Sequence, residues 1–521
     1  MKLSVNGLND SNYKKYNYDI PTFDIETIRK NTNENPQWLH FGAGNIFRAF
    51  PAVICQNLIE SGNMKTGITV VECFDEEIID KAFKPFDNLT LAISLKSNGT
   101  VEKKIVASIC EALKYSENKS KLKNIFEMDS LQMVSFTITE KGYSVIESDF
   151  SDIENPTSII GILTKLMYDR FKSGKKKLAL VSMDNCSHNG TILYNSVKAI
   201  SSKWIENGFV EAEFADYIDD ENKVSFPWSM IDKITPRPSE DIIDMLKKEG
   251  FEGADIVVTS KNTHVSGIVN AEECEYLAIE DHFPNGRPDL EKFGVILSDR
   301  STVDKIEKMK VCTCLNPLHT ALAIFGCLFS YNKISEEMKD ETLVSLIKKV
   351  GYIEGMPVVT DPKVMSAEKF INEVLELRLP NPFMPDTPQR IACDTSKKIA
   401  VRFGETLKSY INQGKTDLSF LNYIPLTFAG YARYLTGIND KGESFELSPD
   451  PNLQKLTSLF EDFKIGANFD QNKLRKFFSD ESIFGVNLYE YGLGEKSENM
   501  FLEMSENEGS IRKTLNKYLG I

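Results

Sequence analysis

Residues 37–48, QWLHFGAGNIFR, hold a short apolar run that ends in Gly42-Ala43-Gly44, and a helical pattern opens behind it through Ile54, Leu58 and Ile59. A strand that feeds a helix through a G-x-G turn is the arrangement that holds dinucleotides. Its glycines let the backbone approach a pyrophosphate, and the helix start presents N–H groups and a positive dipole end. The pattern here is G-A-G-N-I-F-R, without a third glycine. Gly42, Ala43, Gly44, Asn45, Ile46, Phe47 and Arg48 are the candidate cofactor contacts, and Arg48 lies one turn into the helix, where it can reach a phosphate. A glycine turn between strand and helix also occurs with no ligand at all.

Working outward, Ile68–Val71 forms the next apolar strand and ends at Glu72, 28 residues after Gly44. A carboxylate there accepts the hydroxyls of an adenosine ribose and repels a 2′-phosphate, which favours NAD over NADP. Asp75 and Glu76 compete for that role. Leu131–Thr139 is a further apolar run, followed by Glu140-Lys141-Gly142-Tyr143. Leu178–Met183 is another, closing at Asp184-Asn185. Strands that alternate with helices and are apolar throughout predict a parallel sheet covered on both faces. At the carboxyl end of such a strand, Asn185 can hydrogen-bond a substrate oxygen or a nicotinamide amide. Asp184-Asn185 and Asn189-Gly190 are equally strong turn signals.

Beyond about Ser301 strand-like runs become scarce and helical periodicity takes over, over 315–331, 335–350, 367–377 and 396–413. The expected organisation is an N-terminal extension over 1–36, a doubly wound α/β domain over 37–300 and a mostly α-helical domain over 301–521. No internal repeat or low-complexity tract is present.

With 41% hydrophobic and 26% charged residues the chain has the composition of a globular protein, and a net charge of −15 argues against nucleic-acid or anionic-membrane partners. No apolar stretch approaches the roughly 18 residues of a membrane helix. Met1–Asn17 is polar, and no apolar region follows Lys14 and Lys15, so no secretory signal is expected. Nine irregularly spaced cysteines suit reduced thiols in a cytoplasm. Cys312 and Cys314 form a C-x-C pair that His319 could extend, but nothing nearby completes a tetrahedral zinc site, so no metal is expected.

The stretch Glu307–Leu322, EKMKVCTCLNPLHTAL, gathers an acid, two lysines, an asparagine and one of only five histidines. Asn316-Pro317 reads as a helix start, Asn316 the N-cap and Pro317 the first helical residue. His319 then shares a face with Asn316. A base, a donor and an orienting imidazole within one turn suit chemistry on an alcohol or carbonyl. The alternative is a capped helix with a partly buried histidine and a solvated lysine cluster.

Together these pieces resemble the mannitol dehydrogenase family of polyol-specific long-chain dehydrogenases. They are the G-x-G with Arg48, Thr137–Tyr143, Met183-Asp184-Asn185 with Asn189-Gly190, and Met230-Ile231-Asp232-Lys233-Ile234-Thr235-Pro236. Tyr276–Pro288, Asn316 with His319, and Arg390-Ile391-Ala392 with Asp394 and Lys398 complete the set. All seven occur in the family's order. The resemblance implies a metal-independent, NAD(P)-dependent oxidoreductase with a Rossmann-type domain, a helical domain and substrate held between them.

It also implies a lysine base in a K-x4-N-x2-H pattern, with a glutamate three residues before the lysine. Asn316 and His319 match directly. Glu307 and Lys310 keep the E-x-x-K relation, but Lys310 stands six residues before Asn316 instead of five, and Lys308 is its rival. By the same resemblance Asn185 and Asn316 stabilise the alkoxide, His319 orients a hydroxyl, and Glu307 carries the proton out. Thr139 joins the cofactor contacts, and Asp232, Arg390 and Lys398 become substrate residues. Taken alone, Asp232 reads as a cap or as a partner of Lys233, and Arg390 and Lys398 as surface ion-pair residues.

Family members act on mannitol and other polyols, or on the fructuronate–mannonate and tagaturonate–altronate pairs. The C-L-N-P-L-H variant and the insertion-like Lys261–Cys274 region resemble the longer members that reduce fructuronate, favoured over the mannitol branch. The expected partner is a small sugar acid or polyol, the expected assembly a monomer or small homo-oligomer. A protein that binds NAD without turnover is the reading from a different class.

Overall fold

The computed structural model describes Met1–Ile521 and divides into two compact units, residues 1–96 with 100–304, and residues 305–521 with 97–99.

A six-stranded parallel sheet organises the first unit. Across it run Ile109–Lys114, Ile68–Glu72, Trp38–Phe41, Met133–Phe136, Leu178–Ser182 and Val224–Ser225. Numbered by sequence, that order is 3-2-1-4-5-6, the doubly wound arrangement of dinucleotide-binding sheets. Alternate residues of each strand feed opposite faces. Trp38, Ile68, Val70, Met133, Ala179 and Val181 enter one core, and Leu39, Phe41, Val71, Val134, Phe136 and Leu180 the other. Burial on both faces explains why these strands are apolar throughout instead of alternating. The register sets Phe41 opposite Val71 and Phe136, and Phe136 opposite Ser182. Gly42, Glu72, Thr137 and Met183 therefore leave the sheet along one edge.

Besides the two-stranded pair Val257–Val258 with His264–Val265, two smaller sheets add to what the alternating pattern predicts. One runs in the order Tyr18–Asp19, Val101–Val106, Thr90–Leu95, Ile268–Glu272, and the other Ser229–Asp232, Tyr276–Glu280, Ile296–Ser298. The N-terminal residues fold into this unit, since Tyr18 and Asp19 pair with Lys103 and Lys104.

No strand follows Ser298. The second unit is helical, and its core holds Asn316–Leu328 and Tyr423–Tyr434, each buried on nearly every side. Phe428 packs edge-on to Phe484 at 4.8 Å between ring centroids and to Phe403 at 5.8 Å. The N-terminus of Tyr423–Tyr434 is closed by the buried Glu354 carboxylate, which accepts from the N–H groups of Tyr423 at 2.9 Å and Ile424 at 2.7 Å. That acid sits at the positive end of the helix dipole.

Four π-helical turns interrupt the helices of this unit, at Lys310–Cys314, Lys349–Gly355, Val374–Arg378 and Ala400–Gly404. The first precedes the helix Asn316–Leu328, which begins where the sequence predicts but with Leu315, not Asn316, in the N-cap position. Asn316 caps nothing: it lies inside a 29-residue helical run, Arg300–Leu328. Leu315, at φ −127°, is the point of distortion. A proline inside a helix removes a hydrogen bond and crowds the carbonyl four residues back. The π turn immediately before Pro317 provides the local irregularity that accommodates it. The same run overturns the expectation that no apolar stretch reaches membrane-helix length. It contains an 18-residue window of mean hydropathy 1.5, of which 78% is buried inside the protein.

Candidate active site

The glycine turn is shaped by contacts made far away in the chain. Gly42 has φ +102°, and a Cβ there would lie 2.3 Å from the carbonyl oxygen of Thr137, so glycine alone fits. A Cβ on Gly44 would meet nothing within 4 Å, which leaves the backbone at the start of the helix Asn45–Ala49 open to a ligand. The Ala43 N–H donates to Glu72 Oε2 at 2.9 Å. Glu72 Oε1 accepts from the N–H groups of Phe74 at 2.9 Å and Asp75 at 3.2 Å.

Glu72 thus stands where a ribose-binding acid belongs, yet its carboxylate ties the glycine turn to the turn after its own strand. Its competitors are engaged as well. Asp75 accepts from the Thr259 hydroxyl at 2.6 Å, and Glu76 from the Ser116 N–H at 2.7 Å.

Arg48 does not fit the phosphate role expected of it. Its guanidinium is 1% exposed and donates to Thr90 Oγ1 at 3.0 Å and to the Ser266 carbonyl at 2.9 Å. Burial pushes its pKa down to about 9. A charge satisfied inside the fold is not available to a ligand. Phe47 also turns inward and stacks on His40 at 4.1 Å. Gly42, Ala43, Gly44, Asn45 and Ile46 remain as the candidate backbone cradle.

Across the switch point of the sheet, Asp184 binds the two neighbouring motifs together. Its carboxylate accepts from the N–H groups of Ile138 and Thr139, both at 2.9 Å, and from the Tyr143 hydroxyl at 2.6 Å. Burial raises its pKa against the pull of those three bonds. Thr139 sits at φ +63°, a strained conformation for a β-branched residue, and its bond to Asp184 holds it there. Asn185 follows on the exposed side.

Asn189 is a structural pin instead of a turn residue. Its side chain donates to the carbonyls of Asp184 and Ser229, both at 3.0 Å, and accepts from the Ser229 N–H at 2.9 Å. It opens the helix Asn189–Glu206. Asp232 ends its strand in a buried position. Lys233 pairs with Glu275 at 2.5 Å.

In the second unit the π turn carries Lys310, which is 4% exposed, whereas Lys308 is exposed and Glu307 half-buried. The Asn316 carbonyl accepts from Arg402 at 3.3 Å. His319 Nε2 lies 3.6 Å from Asp386 Oδ2, with the imidazole 15% exposed. Burial pushes its pKa down to about 4; Asp386 opposes this, and Arg402, Arg390 and Arg378 reinforce it. The imidazole is therefore neutral at working pH, a hydrogen-bonding group and not a cation.

Arg390 is largely exposed and forms an ion pair with the buried Asp386, four residues back in the loop before its helix. Lys398 donates to the Ile391 carbonyl at 3.2 Å and to that of Cys393, and burial lowers its pKa. His319, Asp386, Arg390, Lys398 and Arg402 thus form a polar cluster with an excess of cations. Asp386 and Arg402 went unnoticed in the sequence because neither falls in a spaced motif; Asp386 hides in the proline-rich loop 379–389. Nowhere do three His, Cys, Asp or Glu side chains gather as a metal-binding group.

Comparison with known proteins agrees with this architecture. Residues 36–292 match the mannitol dehydrogenase Rossmann domain and residues 302–497 the mannitol dehydrogenase C-terminal domain. The chain belongs to the mannitol dehydrogenase family. It is 50% identical to a D-mannonate oxidoreductase of Thermotoga maritima, over 98% of this chain and 97% of that one. It is 27% identical to a polyol:NADP oxidoreductase of Gluconobacter oxydans, over 86% of this chain and 89% of the other. Among solved structures, mannitol 2-dehydrogenase of Pseudomonas fluorescens in a ternary complex with NAD and D-mannitol shares the fold. Its TM-score is 0.70 at 23% identity, with both chains fully covered.

Proposed function

We propose that the protein is an NAD-dependent dehydrogenase that interconverts D-mannonate and D-fructuronate. The observation that carries this reading is the 50% identity, over nearly the whole of both chains, to a D-mannonate oxidoreductase. The excess of cations around His319 supports a substrate that bears a carboxylate.

The backbone at Gly42–Ile46 fits a dinucleotide pyrophosphate, because Gly44 opens onto free space and Gly42 permits the tight turn. NAD, when bound, supplies a nicotinamide ring that accepts hydride. The remaining roles belong to side chains of the protein. Lys310 Nζ, on a buried side chain, takes the proton of the substrate hydroxyl. The amide N–H groups of Asn185 and Asn316 donate to the developing alkoxide. His319, as a neutral imidazole, orients a substrate hydroxyl, and Glu307 passes the proton onward. Asp232 and Lys398 hold substrate hydroxyls, and Arg390 clamps the carboxylate in bidentate fashion. Thr139 borders the cofactor. NAD is preferred to NADP, and the reaction takes place in the cytoplasm.

A second reading, oxidation of mannitol or another neutral polyol, is favoured by the polyol:NADP oxidoreductase among the relatives. Purified protein should consume NADH when given fructuronate and respond far less to tagaturonate or fructose. Preference for fructose would move the assignment to the polyol branch. Silence toward every hexulose and hexuronate, with NADH still bound, would leave a non-catalytic nucleotide sensor.

A further inference from the structure

At the carboxyl end of the strand Ile68–Glu72, Phe74 is 67% exposed, the most exposed large hydrophobic side chain in the protein. An isolated exposed phenylalanine needs no explanation. This one is held in place from both ends. Its N–H donates to Glu72 Oε1 at 2.9 Å, and its carbonyl accepts from the Lys261 ammonium. That same ammonium lies over the ring, 4.0 Å from the centroid.

Lys261 belongs to a two-stranded hairpin in which Val257 pairs with Val265 and Val258 with His264. The hairpin is strapped to the segment after Glu72 by four further contacts. Thr259 donates to Asp75 at 2.6 Å, the Ser260 N–H and hydroxyl reach Glu77, and Lys81 donates to the Val258 carbonyl at 3.0 Å. A structure of that cost, spent on presenting one aromatic ring to solvent, calls for a ligand with a flat face.

We infer that Phe74, pre-set by Lys261 and the hairpin 257–265, is the stacking platform for the adenine ring of the dinucleotide. This rests on the nucleotide-binding reading above. The glycine turn at Gly42–Gly44 takes the pyrophosphate, and Glu72 bonds to both Ala43 and Phe74, linking the two subsites through one carboxylate. In an open parallel sheet the ligand lies outside the carboxyl ends of the strands, where Phe74 stands. Every base has a π face, so an aromatic ring binds adenine without hydrogen-bond readout. A ring fixed before binding loses less freedom when the ligand arrives.

The test is equilibrium titration of the full-length protein with NADH and with ADP-ribose, which keeps the adenine and the pyrophosphate and lacks only the nicotinamide ring. Phe74→Ala should weaken ADP-ribose by about tenfold, while Phe74→Tyr should stay within about threefold of the parent protein. The ring is exposed, and an unchanged thermal midpoint shows that either variant folds as the parent does. If Phe74→Ala binds ADP-ribose as well as the parent does, the platform is wrong and the nucleotide reading stands. If the parent protein binds neither NADH nor ADP-ribose, both fall.

Discussion

The N–H of Leu315 donates to the carbonyl of Lys310 at 3.1 Å, five residues back instead of four. That bond closes the π turn Lys310–Cys314, and it accounts for the irregular spacing in the motif. An added residue in an α-helix rotates everything beyond it by about 100°. A π turn takes one extra residue into a wider loop and so offsets that rotation. The proposed grouping of Lys310 with Asn316 and His319 rests on that offset, since Lys310 stands six residues before Asn316.

Burial separates the two candidate lysines, and mutation should do the same. Lys310→Met is expected to lower kcat by about 10²–10⁴-fold and leave NADH affinity within a few-fold. Lys308→Ala should keep activity within about threefold, as a change at an exposed position. Steady-state kinetics beside NADH titration decide it; a damaging Lys308→Ala with a mild Lys310→Met would shift the base by two residues.

Glu72 bonds to three backbone N–H groups, so its loss should reach beyond cofactor choice. Glu72→Ala is expected to destabilise the first unit by about 1–3 kcal/mol, the cost of stranding buried donors. It should also weaken NADH and NADPH together. Thermal unfolding and paired titrations provide the readout. A variant of native stability that merely gains NADPH affinity would restore Glu72 as a plain ribose discriminator.

The exposed Arg390 offers a way to tell sugar acid from polyol. Arg390→Ala should raise KM for fructuronate by about 10–100-fold, the range of a charge-assisted hydrogen bond. It should change KM for fructose by less than about threefold. Equal effects on both substrates would show that Arg390 holds hydroxyls and not a carboxylate.

Two buried groups of the helical unit oppose each other in their pH dependence. His319, lowered to about 4 from 6.5, binds fewer protons folded than unfolded between those values. Its contribution is present above pH 6.5 and lost as pH falls toward 4. Glu337 is fully buried, neither carboxylate oxygen has a hydrogen-bond partner, and burial raises its pKa well above 4.5. Its contribution is complete below pH 4.5 and is lost as pH rises through the raised value. Glu337→Gln removes the titration, so denaturant unfolding at pH 5 and pH 8 should show the variant gaining at pH 8 relative to the parent. A gain independent of pH would mean that Glu337 does not titrate in the fold.

Much of the architecture was legible in the residues. Runs such as Trp38–Phe41 and Leu178–Ser182 are apolar on both faces because both faces are covered, and that pattern alone distinguishes a parallel sheet from an antiparallel one. Gly42 was readable as a tight turn because a strand feeds a helix through G-x-G there, and the close approach of Thr137 then excludes any other residue. The small mixed sheets were less legible, since Tyr18–Asp19 and Ile268–Glu272 join through partners distant in sequence.

Polar side chains were where local reading failed. Arg48 has the right place for a phosphate ligand, but Thr90 and Ser266, brought in by tertiary packing, take its donors. Glu72 stands where a ribose-binding acid belongs, and its oxygens also accept from the N–H groups of Ala43, Phe74 and Asp75, a structural role that local reading did not foresee. Burial patterns and backbone freedom are properties of a residue and its near neighbours, so the amino-acid sequence determined the fold class, the glycine turn and the family by itself. The direction of a long polar side chain depends on which partners the rest of the chain delivers. Only the tertiary structure therefore decided that Arg48 faces inward, that Asp386 stands against His319, and that a π turn absorbs the extra residue after Lys310.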